Sequence, residues 1–476
     1  MTNRRRVLPA LALVLTICCA LQPVLGQNGS ADSIKIPFET YKLPNGLTVI
    51  LSVDRAIPTI TVDVWYHVGS KNEAAGRTGF AHLFEHVMFT GSGHIPYGMH
   101  DKLTEGVGGN NNGSTNNDRT NYFETVPSNY LETALWLESD RMGYLLDTLD
   151  LGKLNAQRDV VKNERRQSYD NQPYGRVPEI LSAAMYPKGH PYSWPVIGSM
   201  VDLSAASEED VKSFFRLYYA PNNATVAVVG DFDPAEAKKL IQKYFGDLPK
   251  GKAVERPSVP LGKLDASKRL VYEDRVQVPR LYIQWPTLGI KQNDRYALNV
   301  LSSIFSSSRT ARLTKALVYD SQIASQAFAF QNSAEDVGVF QVTVIPRPEH
   351  TLTELEAAVD QVIQKFIAEG PTAEEMQKAK SALELNFLRG LESNLGKAEQ
   401  LLSGSVFFGN PAQFRTDFTK TMGVTAADVK RVAALYLVRP RIVLSVVPKG
   451  KKGQASKAAE SEAVSMLQAT RRGGRS

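Results

Sequence analysis

One twenty-residue pattern occurs twice in this chain, and it constrains the fold more than any other feature. "DVKSFFRLYYAPNNATVAVV" starts at Asp210 and "DVKRVAALYLVRPRIVLSVV" at Asp428, an offset of 218. Laid together without a gap they agree at Asp, Val, Lys, Leu, Tyr and the closing Val-Val. Towards the front of each half, Asp54-Arg55 and Trp65 meet Asp274-Arg275 and Trp285 at an offset of 220. Two matches at nearly one offset indicate a duplicated domain of roughly 220 residues. Within each copy the periodicity alternates between strand and helix. Leu47–Asp54, Thr59–Val68 and Ala224–Phe232 read as strands, as do segments near Leu281–Trp285 and Val339–Ile345. Helical patterns cover Gly79–Phe89, Ser128–Leu146, Leu154–Tyr169, Leu352–Ala368 and Ala373–Leu391, the last with Thr372 and Glu375 placed as a capping box. The class is α+β: two homologous domains, each a mostly antiparallel sheet packed with helices.

Residues 1–26 stand apart. Arg4, Arg5 and Arg6 precede an apolar run to about Ala20, then Pro23 and Gly26, the layout of a secretory signal. Export follows, with the periplasm as the expected compartment and secretion or an uncleaved anchor as alternatives. No membrane span is expected once the signal is removed. Both cysteines, Cys18 and Cys19, lie in this segment, so the mature chain relies on its cores rather than on disulfides. Subtracting the three signal arginines from the net charge of +6 leaves +3, which gives no nucleic-acid footprint.

The stretch "GFAHLFEHVMF", Gly79–Phe89, places two histidines and a glutamate in a greasy segment. Residues four apart share a helix face, so His82 and His86 can aim two imidazoles at one divalent cation. Glu85 lies about 60° from His82 and about 100° from His86 around the helix, beside the cation rather than on it. This is the H-x-x-E-H pattern. Shifted by 220 it falls on "SSIFS", Ser302–Ser306, which keeps apolar positions and loses every ionisable one. Packing therefore does not require them.

Three stretches together resemble the pitrilysin/insulinase family of inverted zinc metallopeptidases: "HLFEHVMFTGS", "RDVVKNERR" followed by "PYG", and "NNGSTNNDRTNY". The resemblance implies zinc, one per chain, held by His82, His86 and Glu164, and a water activated by the metal and by Glu85. It implies a substrate-binding strand at Asn112 and Gly113, and hydrolysis of unfolded peptides within half of a clamshell of homologous domains. On this basis residues 35–249 form the zinc-bearing domain, 250–268 a linker, 269–449 a homologous domain without the motif, and 450–476 a flexible tail with a short helix near Ala458–Ala469.

Two departures from the family pattern matter. A glutamate that often supports the zinc site seven residues before the third ligand is Gln157 here. An arginine and a tyrosine that often grip substrate from the second half fall on Val318 and Ser325, with Arg312 and Tyr319 out of register. Two-subunit members divide these parts between chains, so this chain resembles a zinc-bearing subunit whose homologous partner supplies the arginine–tyrosine pair. The competing reading is a non-catalytic peptide-binding or assembly subunit. The remaining histidines, His67, His94, His100, His190 and His350, have no ligand spacing and are expected in loops or at rims.

Overall fold

In the computed structural model, which describes residues 34–256 and 259–464, the alternating stretches become two six-stranded sheets. The first contains β1 (Glu39–Lys42), β2 (Thr48–Val53), β3 (Thr59–Tyr66), β4 (Asn110–Thr115), β5 (Thr120–Pro127) and β6 (Ala224–Gly230), in the order β1-β2-β6-β3-β5-β4. The second contains β7 (Lys268–Asp274), β8 (Arg280–Leu288), β9 (Ala324–Ser333), β10 (Val337–Pro346), β11 (Ile442–Pro448) and β12 (Glu462–Ala463), in the order β12-β7-β11-β8-β10-β9. From the second position onward the topologies are the same. β2 runs parallel to β6 and β7 parallel to β11, and every later pairing is antiparallel. Strand β6 and its counterpart β11 begin 218 residues apart, at Ala224 and Ile442, so the repeat in the sequence is a repeat in three dimensions.

Helices cover one face of each sheet because their apolar residues recur at helical spacing. On the first sheet, Phe80–Val87, Leu131–Thr148, Glu208–Tyr218 and Pro234–Phe245 contribute to one core. On the second, Asp294–Ser306, Leu352–Glu369 and Ala426–Tyr436 take the corresponding places. The opposite faces are covered by exchange. Helix Val177–Met185, from the first half, buries Val177, Ile180, Leu181 and Met185 against Tyr282, Ile442, Leu444 and Val446 of the second sheet. Helix Asn394–Phe408, from the second half, lies over the first sheet: Asn394 Nδ2 donates to Thr59 O at 3.1 Å, Lys397 pairs with Asp54, and the Phe407 ring sits 6.0 Å from Trp65. Each fully buried aliphatic side chain contributes about 1.5–3 kcal/mol. Four of them on one crossing helix therefore rival the net stability of a whole domain.

The halves also meet at an ionic clasp. Lys71 Nζ lies 3.1 Å from Asp118, 2.7 Å from Glu335 and 2.8 Å from Asp336, and Glu335 N donates to Asp118 Oδ2 at 2.9 Å. Asp118 is in the turn between β4 and β5, so the clasp pins the end of the first sheet's edge strand to the β9–β10 turn.

Three expectations need correction or lie out of reach. The signal segment 1–26 and tail residues from 465 lie outside the described residues. Residues 450–464 are built onto the second sheet, and of the expected helix only a 3-10 turn at Ala458–Glu460 is present among the described residues. Short 3-10 turns lead instead to β12, which pairs parallel with β7, Glu462 opposite Leu270. Polar anchoring explains why apolar periodicity missed this. Ser456 is fully buried, its N–H donates to Ser445 Oγ at 3.0 Å, and its hydroxyl reaches Glu356. His100 is buried on the short helix Met99–Glu105 instead of in a loop or at a rim, its Nδ1 3.0 Å from Arg141, while His190 is in a loop as expected, though buried.

Glu356 ties the tail to the sheet. Its burial would raise its pKa, but Arg269, the Ser456 hydroxyl and Arg441 bring it down to about 2 from an ordinary 4.5. A depressed carboxylate stabilises the fold above its unfolded pKa and loses that contribution as pH falls towards the folded value. Glu356→Gln should therefore cost on the order of 2 kcal/mol near neutral pH, and the gap to the natural chain should close between about pH 5 and pH 2. Urea melts across that range check this.

Candidate active site

The helix Phe80–Val87 buries Phe80, Ala81, Leu83, Phe84 and Val87 and leaves His82, Glu85 and His86 half-buried on the other face. Phe84 alone packs against the rings of Phe214, Phe215 and Tyr219. Its start is set by Glu73, which is buried and whose two oxygens accept the N–H groups of Gly79 and Ala81, each at 2.9 Å. Two donors of the first turn that would otherwise lack partners are thereby satisfied. Gly79 is left-handed, with φ of 92°, and a Cβ there would come within 2.8 Å of Ile197 O. Only glycine lets the chain enter the helix this close to its neighbour.

The third side chain comes from helix Leu151–Arg165, capped by Asp150 and buried along Leu154, Arg158, Val161 and Arg165. Arg165 donates to Gly198 O at 2.8 Å and forks onto Glu179, which fixes the last turn before a π-helical turn at Arg166–Asp170. Glu164 Oε2 then lies 3.2 Å from His86 Nε2 and 3.7 Å from His82 Nε2. One donor atom from each of the three falls within 4.8 Å of the others. Tetrahedral ligands about 2.0–2.2 Å from zinc stand roughly 3.3 Å apart, so the donor set fits such an ion. Its chemistry fits as well. Burial lowers the pKa of His82 against the opposing pull of Glu85 and Glu164, leaving a neutral imidazole with a lone pair to give. The hydrogen bond to His86 keeps Glu164 below the usual carboxylate range.

Beside these donors opens a cleft of about 240 Å³ lined by Glu85, His86, Phe89, Thr90, Tyr97, Asn112 and Gln157. Gln157 and Glu164 stand seven residues apart on one helix, two turns along the same face. Asn112 and Gly113 lie on β4, the free edge of the first sheet. A Cβ on Gly113 would lie 3.3 Å from Glu85 Cγ and 3.1 Å from Tyr122, so glycine lets the strand pass close to Glu85. The seven residues singled out from the sequence thus gather at one place. None of the second-half positions weighed as grips, Arg312, Val318, Tyr319 and Ser325, lines this cleft. Arg312 is spent on Glu375 and Gly370 O, and Ser325 bonds Ile345 O.

With this geometry in hand, comparison with known proteins is decisive. The family described as "Insulinase (Peptidase family M16)" matches residues 48–197, and "Peptidase M16 inactive domain" matches 205–383. The zinc protease PqqE of Helicobacter pylori is 31% identical over 89% of this chain and 95% of its own. The chain belongs to the insulinase (M16) peptidase family. A crystal structure of a protease from Helicobacter pylori superposes with a TM-score of 0.81 at 29% identity, covering 87% of this chain and all of that one. The beta subunit of the mitochondrial-processing peptidase of Lentinula edodes is 26% identical over 84% of this chain and 88% of its own. The "inactive domain" match begins at 205, past the histidine motif, and runs from the end of the first half into the second.

Glu73, Phe89, Thr90 and Tyr97 were missed from the sequence. Glu73 had a usable signal: a carboxylate shortly before a helix whose N-cap is a glycine with no side chain to offer. Tyr97 had none. Metal analysis of the desalted protein tests the ligand set. His86→Ala and Glu164→Gln should each lower bound zinc well below one per chain, while Glu85→Gln should retain it.

Proposed function

We propose that this chain is a zinc-dependent endopeptidase acting on unfolded peptides. The observation that carries this is the convergence of His82, His86 and Glu164 with Glu85 beside them, facing the cleft and touching distance from the edge strand. The names of the relatives, zinc proteases among them, support the choice of metal. A zinc ion on these donors would supply a Lewis acid for the peptide carbonyl and make water acidic enough to attack near neutral pH. Glu85 would accept a proton from the attacking water on its carboxylate and return it to the departing amine nitrogen. Glu164 and the two imidazoles would hold the cation, and Gln157 lines the wall two turns from Glu164 on the same helix face. The free backbone groups of Asn110–Thr115 pair with the substrate as an added strand, and Asn112 and Gly113 set its distance from Glu85. Only a chain that is already extended can present its backbone in this way, which selects unfolded segments over folded proteins.

Two further parts belong to the proposal. Export, to the periplasm first of all, is supported by the signal-like residues 1–26. A homologous partner supplies the arginine–tyrosine grip, because Arg312 is already paired here and positions 318 and 325 are Val and Ser. The relative named as a beta subunit supports an assembly of that kind.

An internally quenched oligopeptide assay tests the chemistry. Glu85→Gln, with zinc content unchanged, should lower turnover by roughly 10²–10⁴-fold. Equal turnover in the two proteins would favour the non-catalytic, peptide-binding reading. The partner claim has its own readout. The isolated chain should turn over slowly, and a homologous chain carrying the arginine–tyrosine pair should raise kcat/KM by roughly tenfold or more, the worth of about 1.4 kcal/mol in the transition state. Full activity in the isolated chain would remove the need for a partner.

A further inference from the structure

The cleft contains one residue whose exposure packing does not explain. Tyr97 leaves 74% of its surface to solvent, although its neighbour Ile95 is fully buried. The loop that carries it is held in place. Gly91 and Gly98, with φ of 90° and 75°, turn the chain at either end. Ser92 N donates to Ile95 O at 2.8 Å and Gly93 N to Tyr144 O at 3.0 Å. Asp140, 2% exposed, accepts from the Ser92 hydroxyl, from His94 N at 3.1 Å and from the His94 ring. A buried carboxylate with three donors is a strong anchor for so short a loop. The phenol is therefore carried on a braced loop in the wall of the cleft, which Asn112 of the edge strand also lines. Phe89, the other aromatic of the lining, is instead packed on Tyr122 and His100.

We infer that Tyr97 is a specificity-determining residue: its ring is the platform for an uncharged aromatic or large aliphatic side chain of the peptide next to the bond that is cut. The charge pattern selects that class. Apart from His86 and Glu85, which serve the chemistry, the lining consists of Phe89, Thr90, Tyr97, Asn112 and Gln157, with no side chain to pair with a lysine or an aspartate. Desolvating a charged substrate group there would go uncompensated, whereas an aromatic partner on an exposed ring gains both burial and ring contact. The inference rests on the peptidase reading and narrows its substrate class.

The test uses internally quenched peptides that differ only in carrying Phe, Gly or Lys at each residue flanking the cleaved bond. The natural chain should prefer Phe to Gly on one flank by about fivefold in kcat/KM, the scale of a single aromatic contact. Tyr97→Ala should bring that ratio close to one through KM rather than kcat, and Tyr97→Phe should keep it. An unchanged ratio in Tyr97→Ala, no preference in the natural chain, or a preference for Lys would each overturn the inference. A second arm separates this from the fate of the peptidase reading. Fluorescence anisotropy of the same peptides on zinc-loaded Glu85→Gln, with and without Tyr97→Ala, measures the Phe-to-Gly ratio in Kd without any cleavage. If no peptide is cut, the hydrolase reading falls and this arm still decides. Loss of the ratio supports the platform, while a retained ratio or no binding at all refutes it.

Discussion

The position of the helix Phe80–Val87 is the constraint on which everything else rests. Eight residues are too few to hold a helix in water by themselves. It exists because Phe80, Leu83, Phe84 and Val87 are buried in the first core and because Glu73 takes up the N–H groups of Gly79 and Ala81. Those two restraints fix rotation and translation together. Once the apolar side is down, His82, Glu85 and His86 have only one direction left to face. The ionisable side chains cost the core nothing, since they occupy the side it does not use.

The second requirement is that a distant helix arrive at the same point. Nothing local brings Glu164 near His86 across 78 positions. The fold does so by clamping Leu151–Arg165 at its middle and its last residue, through Arg158 on Ala206 O and Arg165 on Gly198 O. Gly198 is also the residue against which Gly79 packs, 3.0 Å from where a Cβ on Gly79 would be. The two helices whose His82, His86 and Glu164 converge are thus registered against one short piece of backbone, and a shift in either would be felt by both.

Much of this was legible in the sequence, and the reasons for the exceptions are physical. The duplication, the main strands and helices, and the shared face of His82, Glu85 and His86 follow from periodicity, which is a local property. Glu164 could be named only through family resemblance, because its contribution is a tertiary distance. Asn110–Thr115 can be named as a strand only through the resemblance, since its residues are all polar or glycine; it is a strand because β5 pairs with it and the Lys71 clasp holds its end. The edge strand β9 and the helix Asn394–Phe408 escaped notice, since their environment comes from the other half or from a single neighbour. Within Leu131–Thr148 the charges among the apolar residues turn inward: Arg141 is fully buried between Glu124, at 2.5 Å, and Glu138, at 2.9 Å. An ion network of that kind leaves no periodic mark.

The crossing of Val177–Met185 and Asn394–Phe408 has a consequence for how such a chain can evolve. Each half lends a helix to the other, so the copy that lacks metal-binding side chains cannot be discarded as redundant. It remains the scaffold that keeps its twin folded. Lacking the histidine motif yet indispensable to architecture, it is the half in which new surfaces can accumulate, and a change in the loaned helix Asn394–Phe408 bears directly on the first sheet.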